Sequence, residues 1–279
     1  MASEIPTVKL NNGVEIPQLG FGVFQVRPDE TVEAVTTALA TGYRHIDTAQ
    51  MYGNEKQVGE AVARSGIPRE EIFVTTKVNN NRRTRDDALR SVERSLEDLG
   101  FDHADLFLIH WPLPTVRDFV EVWRALEQVY EEGRARAIGV SNFQVAHLQR
   151  LMKETATVPA VNQIEAHPYL TQDALRAFGE SASIATEAWS PIARGKVLAD
   201  PTIIEISERV GRTPAQVVLR WHLQLASIVF PKSIHPERIR ENFELFDFSL
   251  TDADMAEISA LDRGERIGPD PDVFDYVPD

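Results

Sequence analysis

Three short apolar runs each end on a side chain that can hold or move a proton. His45-Ile46-Asp47 follows the helix-stopping Gly42 and leads into Thr48-Ala49-Gln50-Met51-Tyr52-Gly53-Asn54-Glu55. Ile72-Phe73-Val74-Thr75-Thr76 ends on Lys77, and Asp105-Leu106-Phe107-Leu108-Ile109 ends on His110-Trp111-Pro112. Brought together, Asp47, Tyr52, Lys77 and His110 suit one kind of chemistry. A phenol with an ordinary pKa near ~10 is a poor acid at neutral pH, where an efficient general acid should titrate close to the working pH. A lysine cation roughly 4 Å away supplies about 4 kcal/mol at an effective dielectric of ~20, or about three pKa units toward the phenolate. A buried lysine needs a carboxylate such as Asp47 to keep its charge, and that carboxylate weakens the pull, so three units is an upper value. His110, as a neutral donor, would orient a substrate oxygen beside the phenol. The set fits protonation of a carbonyl oxygen.

Other chemistries fit less well. No hydroxyl nucleophile adjoins His110 and no Gly-x-Ser-x-Gly elbow exists, which disfavours acyl transfer. There is no His-x-His or His-Glu-x-x-His, so no metal site is expected, and the absence of cysteine removes thiolate nucleophiles and disulfides. A Schiff-base aldolase with Lys77 as nucleophile is the rival reading of the same four residues.

For these residues to meet, their strands must open on one face. The chain alternates accordingly. After a hairpin at Asn11-Asn12-Gly13, a first strand is expected at 19–23. Helix and strand then follow in turn: helix 31–41, strand 45–47, helix 55–65, strand 72–77, a helix opened by the Thr84 cap, strand 105–110, helix 116–132 and strand 135–140. The same unit recurs with helix 145–155, strand 160–165, helix 171–181 and strand 183–189. A helix starting at Thr213-Pro214, a last strand at 228–230 and helices at 237–246 and 251–261 complete it. Leu19-Gly20-Phe21-Gly22-Val23 is not a dinucleotide fingerprint, because Gln25 stands where the third glycine belongs and Pro28 interrupts before a helix. Eight strand-helix units at about 30 residues each read as an α/β protein, a (β/α)8 TIM barrel. It carries an N-terminal β-hairpin and an irregular C-terminal tail over 264–279, and it is expected to be a single domain over 1–279. In such a barrel the strand carboxyl ends share one face, where active sites lie.

Composition narrows the partners. Asp plus Glu number 43 against 29 Lys plus Arg, a formal net charge of −14, which speaks against nucleic acid and anionic membrane surfaces. An anionic ligand must then be held by a local basic cluster. No apolar run is long enough to cross a bilayer, the N-terminus lacks a leader pattern, and no obligate protein partner is evident, so a cytoplasmic protein acting on a small molecule is expected.

Several motifs in order resemble the aldo-keto reductase family: Asp47-Thr48-Ala49-Gln50-Met51-Tyr52-Gly53-Asn54-Glu55, Gly139-Val140-Ser141-Asn142-Phe143, Asn162-Gln163-Ile164-Glu165 and Phe230-Pro231-Lys232-Ser233. Within the family the chain is most similar to the bacterial 2,5-diketo-D-gluconate reductase branch. The resemblance implies NADPH as cofactor and reduction of small aldehydes or ketones, diketo sugar acids and dicarbonyls among them. Tyr52 would be the proton donor, Asp47 and Lys77 its tuning pair, and His110 the carbonyl-orienting group. It further assigns Ser141, Asn142 and Gln163 to the nicotinamide carboxamide, and Trp189 to a stack on the ring. The stretch from Ser190 to Lys196 would lie along the pyrophosphate, Lys232, Ser233 and Arg238 would hold the 2′-phosphate, and Asn242 would sit near the adenine. Phe24 and Trp111 match substrate-pocket positions. One departure stands out: where the family often has Leu-Trp-Asn after the lysine, this chain has Val78-Asn79-Asn80, which widens the pocket and makes it more polar. A cofactor-binding regulatory or structural relative is the alternative, and the intact quartet weighs against it.

Overall fold

The computed structural model describes residues 5–278; residues 1–4, the start of the segment 1–7 that lacks a leader pattern, and residue 279 lie outside them. Eight parallel strands run in sequence order around a barrel: β3 (Phe21–Gly22), β4 (His45–Asp47), β5 (Phe73–Val78), β6 (Ala104–Ile109), β7 (Ala135–Ser141), β8 (Val161–Glu165), β9 (Ala185–Trp189) and β10 (Ile228–Val229). The ring closes where Leu19 bridges Val229 in parallel, Gly20 N donates to Val229 O at 2.7 Å and Val229 N to Gln18 O at 3.0 Å. Every residue of β5 and β6 is buried, as expected of strands covered by helices outside and side chains inside.

Parallel neighbours need a crossover, and here it is helical throughout. The helices are α1 (Pro28–Thr41), α2 (Glu55–Arg64), α3 (Arg85–Leu99), α4 (Phe119–Glu131), α5 (Val145–Glu154), α6 (Asp173–Ser181), α7 (Pro201–Val210), α8 (Pro214–Gln224), α9 (Pro236–Glu241) and α10 (Asp252–Ser259). Caps set their starts: Thr84 accepts from Asp87 N, and Thr213 and Thr251 form reciprocal boxes with Gln216 and Asp254. Pro28 does not interrupt α1 but begins it, since a proline at the first helical position loses no hydrogen bond. α7 is additional to the expected elements, although its Asp200 cap and Pro201 carry the same start signal, and α9 is shorter than the expected 237–246, ending at Glu241.

The hairpin of β1 (Thr7–Lys9) and β2 (Glu15–Pro17) pairs antiparallel. Leu10 and Ile16 from it pack with Phe73, Leu106, Val161 and Ile228, residues at or near the starts of barrel strands, and so close the barrel's amino-terminal end. The carboxyl end is left for the site.

Candidate active site

The turn after β4 fixes where the phenol points. Gly53 adopts φ 68°, in the left-handed region that a glycine enters without cost, and closes the short 3-10 turn Gln50–Tyr52. Asn54 is fully buried and pins that turn: its Oδ1 accepts from Thr48 Oγ1 at 2.9 Å, and its Nδ2 donates to Val23 O at 3.1 Å and Val26 O at 3.2 Å. Glu55 follows as a buried acceptor for Thr76 and Ser95 at 2.5 and 2.8 Å. Gln50 ties the same turn to the strand beyond, accepting from Asn79 N at 2.9 Å. Gly53-Asn54-Glu55 therefore aims the loop and takes no place in the quartet.

The four strand-end residues do converge. The Lys77 ammonium, with a fully buried side chain, donates to Asp47 Oδ1 and Oδ2 at 2.7 and 2.8 Å, to Thr48 O at 2.9 Å and to Tyr52 Oη at 3.4 Å. Three ammonium hydrogens thus face four acceptors, and the longest contact is the weakest. Lys77 acts on the phenol more through its charge than through a hydrogen bond. Tyr52 lies edge-on to His110, with ring centroids 5.7 Å apart, and tilted against Phe24 at 5.1 Å.

Electrostatics follow from this packing. Burial disfavours the Lys77 cation, but Asp47, Tyr52 and Glu187 outweigh it and hold the ammonium above its ordinary pKa. Such an ammonium has no lone pair to attack a carbonyl, which disfavours the Schiff-base reading. Burial raises the Tyr52 phenol to about 12; Lys77 pulls it back and Asp47 opposes that pull. The phenol drawn below ~10 that the sequence suggested is not what the structure shows, because loss of water around the ring exceeds the lysine's effect. Burial, with Lys77 and Arg117 nearby, holds His110 well below its usual pKa, so its imidazole is neutral. His110 Nδ1 is buried without a protein partner.

The residues assigned to the nicotinamide lie on the next three strands and bond to one another. Ser141 Oγ donates to Gln163 O at 2.9 Å; Asn142, with φ 66°, donates from Nδ2 to His110 O at 2.9 Å and to Ser141 Oγ at 3.1 Å, and accepts from Trp189 Nε1 at 2.8 Å. Gln163 Nε2 reaches Asp47 Oδ2 at 2.8 Å. Ser190 has φ 50°, and Ala193, Arg194 and Gly195 beyond it are also left-handed, so this loop turns sharply away from β9. After β10, Ser233 is buried and its hydroxyl accepts from His235 N at 3.0 Å. Lys232 and Arg238 are exposed and, among the described residues, make no ion pair, while Asn242 is buried at the end of α9.

The tail crosses the mouth. Glu165 accepts from Ile267 N at 2.6 Å and Gly268 N at 3.0 Å, and also bonds His167. A Cβ on Gly268 would stand 2.3 Å from the Trp189 ring, so only glycine fits there. Further along, Phe274 packs tilted against the buried Trp111, ring centroids 4.4 Å apart, and Asn80 Nδ2 donates to Tyr276 O at 3.0 Å. The tail is thus a wall of the mouth, and Phe24, 45% exposed, lies beside Tyr52. Arg117, unremarked in the sequence, ties two further walls: its buried guanidinium donates to Asn79 O, Arg82 O and Trp111 O at 3.3, 2.6 and 2.6 Å. Glu187, buried in β9, also belongs to the site; a charge inside a short strand two positions before Trp189 is its signal in the sequence.

Fold and site together define a (β/α)8 barrel with its ionisable cluster at the carboxyl ends of the strands. The chain belongs to the aldo/keto reductase family, whose model matches residues 18–263. It is 48% identical to a methylglyoxal reductase, DkgA, of Yersinia pestis, over 96% of this chain and 97% of the relative. It is likewise 48% identical to a glyoxal reductase of Bacillus subtilis, over 95% and 96%. Among solved structures, an aldo-keto reductase of Bombyx mori in complex with NADP superposes with a TM-score of 0.92 at 36% identity, covering 99% of both chains. The family resemblance and the barrel read from the alternation of strands and helices are borne out.

Proposed function

We propose that the protein is an NADPH-dependent carbonyl reductase acting on small polar aldehydes and ketones, with Tyr52 as the proton donor. The observation that carries this is the line Tyr52 Oη, Lys77 Nζ, Asp47 at the mouth of the barrel, its ion pair buried and its phenol half-buried. When bound, NADPH supplies a hydride to the carbonyl carbon. The chain's own residues do the rest. His110, neutral, offers an N–H to the carbonyl oxygen beside the phenol and polarises it without placing a second cation next to Lys77. Tyr52 passes its hydroxyl proton to that oxygen as negative charge builds there. The phenolate left behind is stabilised by the Lys77 ammonium, whose charge Asp47 maintains. A phenol pushed up to about 12 is protonated throughout the neutral range, the state that reduction needs.

Ser141, Asn142 and Gln163 offer the hydroxyl and amide groups that a carboxamide needs, and Trp189 the flat face beside them. Because Gln163 Nε2 already serves two carboxyls, its free valence toward a ligand is the acceptor Oε1. Lys232, Ser233 and Arg238 would hold a 2′-phosphate, Asn242 would lie near the adenine, and Ser190 would start the pyrophosphate loop. The phosphate assignment is supported by the two unpaired cations. Glyoxal- and methylglyoxal-type dicarbonyls are the favoured substrates. Asn79 stands where the family often has a bulky aromatic residue, Asn80 beside it ties the loop after β5 to the tail, and two relatives are named for those compounds. Among the described residues no helix is long and apolar enough to cross a membrane; the cysteine-free composition suits action in the cytoplasm on a small molecule. Purified protein mixed with NADPH and glyoxal should consume the cofactor's absorbance. No consumption across a panel of aldehydes and dicarbonyls would refute the reading.

A further inference from the structure

Glu187 is a fully buried carboxyl in the middle of β9, and no step described above uses it. The register sets it beside Gln163 on β8. The Gln163 amide has two hydrogens and gives both to acids: Nε2 lies 2.8 Å from Asp47 Oδ2 and 2.7 Å from Glu187 Oε2. Glu187 Oε1 has no protein partner. One amide thus bridges two carboxyls, and the same Asp47 holds the ammonium that faces the phenol. With Glu187 protonated, Asp47 and Lys77 sum to zero charge; with Glu187 ionised the buried cluster carries a net negative charge.

We propose that Glu187 is a positioning residue of this site: through the Gln163 bridge its carboxyl sets the charge around the Asp47–Lys77 pair, and thereby how readily Tyr52 gives up its proton. The proposal rests on Tyr52 being the proton donor. The charged groups that face Glu187 are Asp47 from β4 and Lys77 from β5; Gln163 faces it from β8, and Ile228 of β10 stands opposite it on the other side. Burial pushes Glu187 up to about 8, Asp47 adds to the rise, and the Gln163 bond and Lys77 oppose it. The carboxyl is therefore neutral near pH 7 and ionises as the pH passes about 8. Once ionised it binds the Lys77 proton more tightly and disfavours a second negative charge on Tyr52. A unit charge at this remove shifts the phenol on the order of one pH unit upward. Over that range the site is kept an acid.

The test is alcohol oxidation by NADP+, which needs the phenolate, followed from about pH 6.5 to about pH 10 in wild type and Glu187→Gln. Log kcat/KM in wild type should climb and then bend as Glu187 ionises. Glu187→Gln, permanently neutral, should climb without that bend, so the ratio of variant to wild type rises several-fold across the range. Parallel profiles, or a uniform loss at every pH, would overturn the proposal. Should the variant fail to fold, the infrared band of a protonated buried carboxyl in wild type should be present at neutral pH and fade near pH 8; its absence at neutral pH overturns the proposal as well. Failure of the underlying reading shows differently: Tyr52→Phe would keep turnover, which would overturn both. Parallel profiles alongside an inactive Tyr52→Phe would overturn the role of Glu187 alone.

Discussion

Replacing Lys77 by methionine keeps most of the side chain's apolar length and removes its charge, leaving Asp47, 2% exposed, with only Gln163 as a donor among its former side-chain partners. Breaking one partner out of a buried ion pair costs about 3–5 kcal/mol. A ceiling on that cost comes from proton uptake, because an unpaired Asp47 can escape by becoming neutral. At about pH 7.5 this escape costs roughly 1.36 × (7.5 − 3.9), or about 5 kcal/mol, and at about pH 5.5 only about 2 kcal/mol. The sign is that of a carboxyl whose folded pKa has been raised: the variant is penalised above the unfolded pKa, and the penalty shrinks as pH falls toward it. Urea unfolding followed by circular dichroism should therefore give Lys77→Met a loss of about 3–5 kcal/mol against wild type at pH 7.5, falling to no more than about 2 kcal/mol at pH 5.5. The double variant Asp47→Asn with Lys77→Met should lose less than Lys77→Met alone, since no charge is left buried. A loss of equal size at both pH values, or a double variant as damaged as the sum of the singles, would refute the claim that an ion pair organises this site.

Other outcomes follow from particular contacts. Arg238→Ala should weaken NADPH binding about 10- to 100-fold, the worth of a charge-assisted hydrogen bond, and change NADH binding little; fluorescence titration reads both, and equal losses would refute the phosphate assignment. Asn54→Ala removes three buried hydrogen bonds from the turn under Tyr52 and should cost about 2–4 kcal/mol in urea unfolding while lowering kcat, with no stability loss counting against its role as a pin. Phe274→Ala removes the packing against Trp111 and should raise KM for dicarbonyls several-fold, by about 1 kcal/mol of lost contact, with kcat nearly unchanged. A fall in kcat with KM constant would mean that the tail serves the chemistry and not the pocket.

Much of the fold was legible because its signals are local. Gly42 and Gly100 stop helices, Thr84, Thr213 and Thr251 cap them, and short apolar runs alternate with helical periods, so eight strands could be counted. Asp47, Lys77 and His110 stood out because each ends such a run, and barrel closure then brings them together. What the sequence hid depends on depth and on distant partners. The balance at Tyr52 turns on how much water the ring loses, which residue types do not reveal, so the phenol moved up where lysine alone would have moved it down. The docked tail depends on Glu165 capturing two backbone amides 102 and 103 residues away, and Asp-Pro-rich composition alone reads as a loose end. Glu187 was obscured because its meaning lies in Gln163, one strand over.

In the proposed reaction Tyr52 delivers the proton while the rest of the quartet tunes and orients it. Turnover of glyoxal with NADPH by Tyr52→Phe, beside the variant's NADPH affinity measured by fluorescence, addresses it most directly. A phenylalanine keeps the ring packed against Phe24 and His110 and removes only the hydroxyl. kcat should fall by roughly 10²- to 10⁴-fold with NADPH affinity unchanged. Turnover within about tenfold of wild type would contradict the assignment.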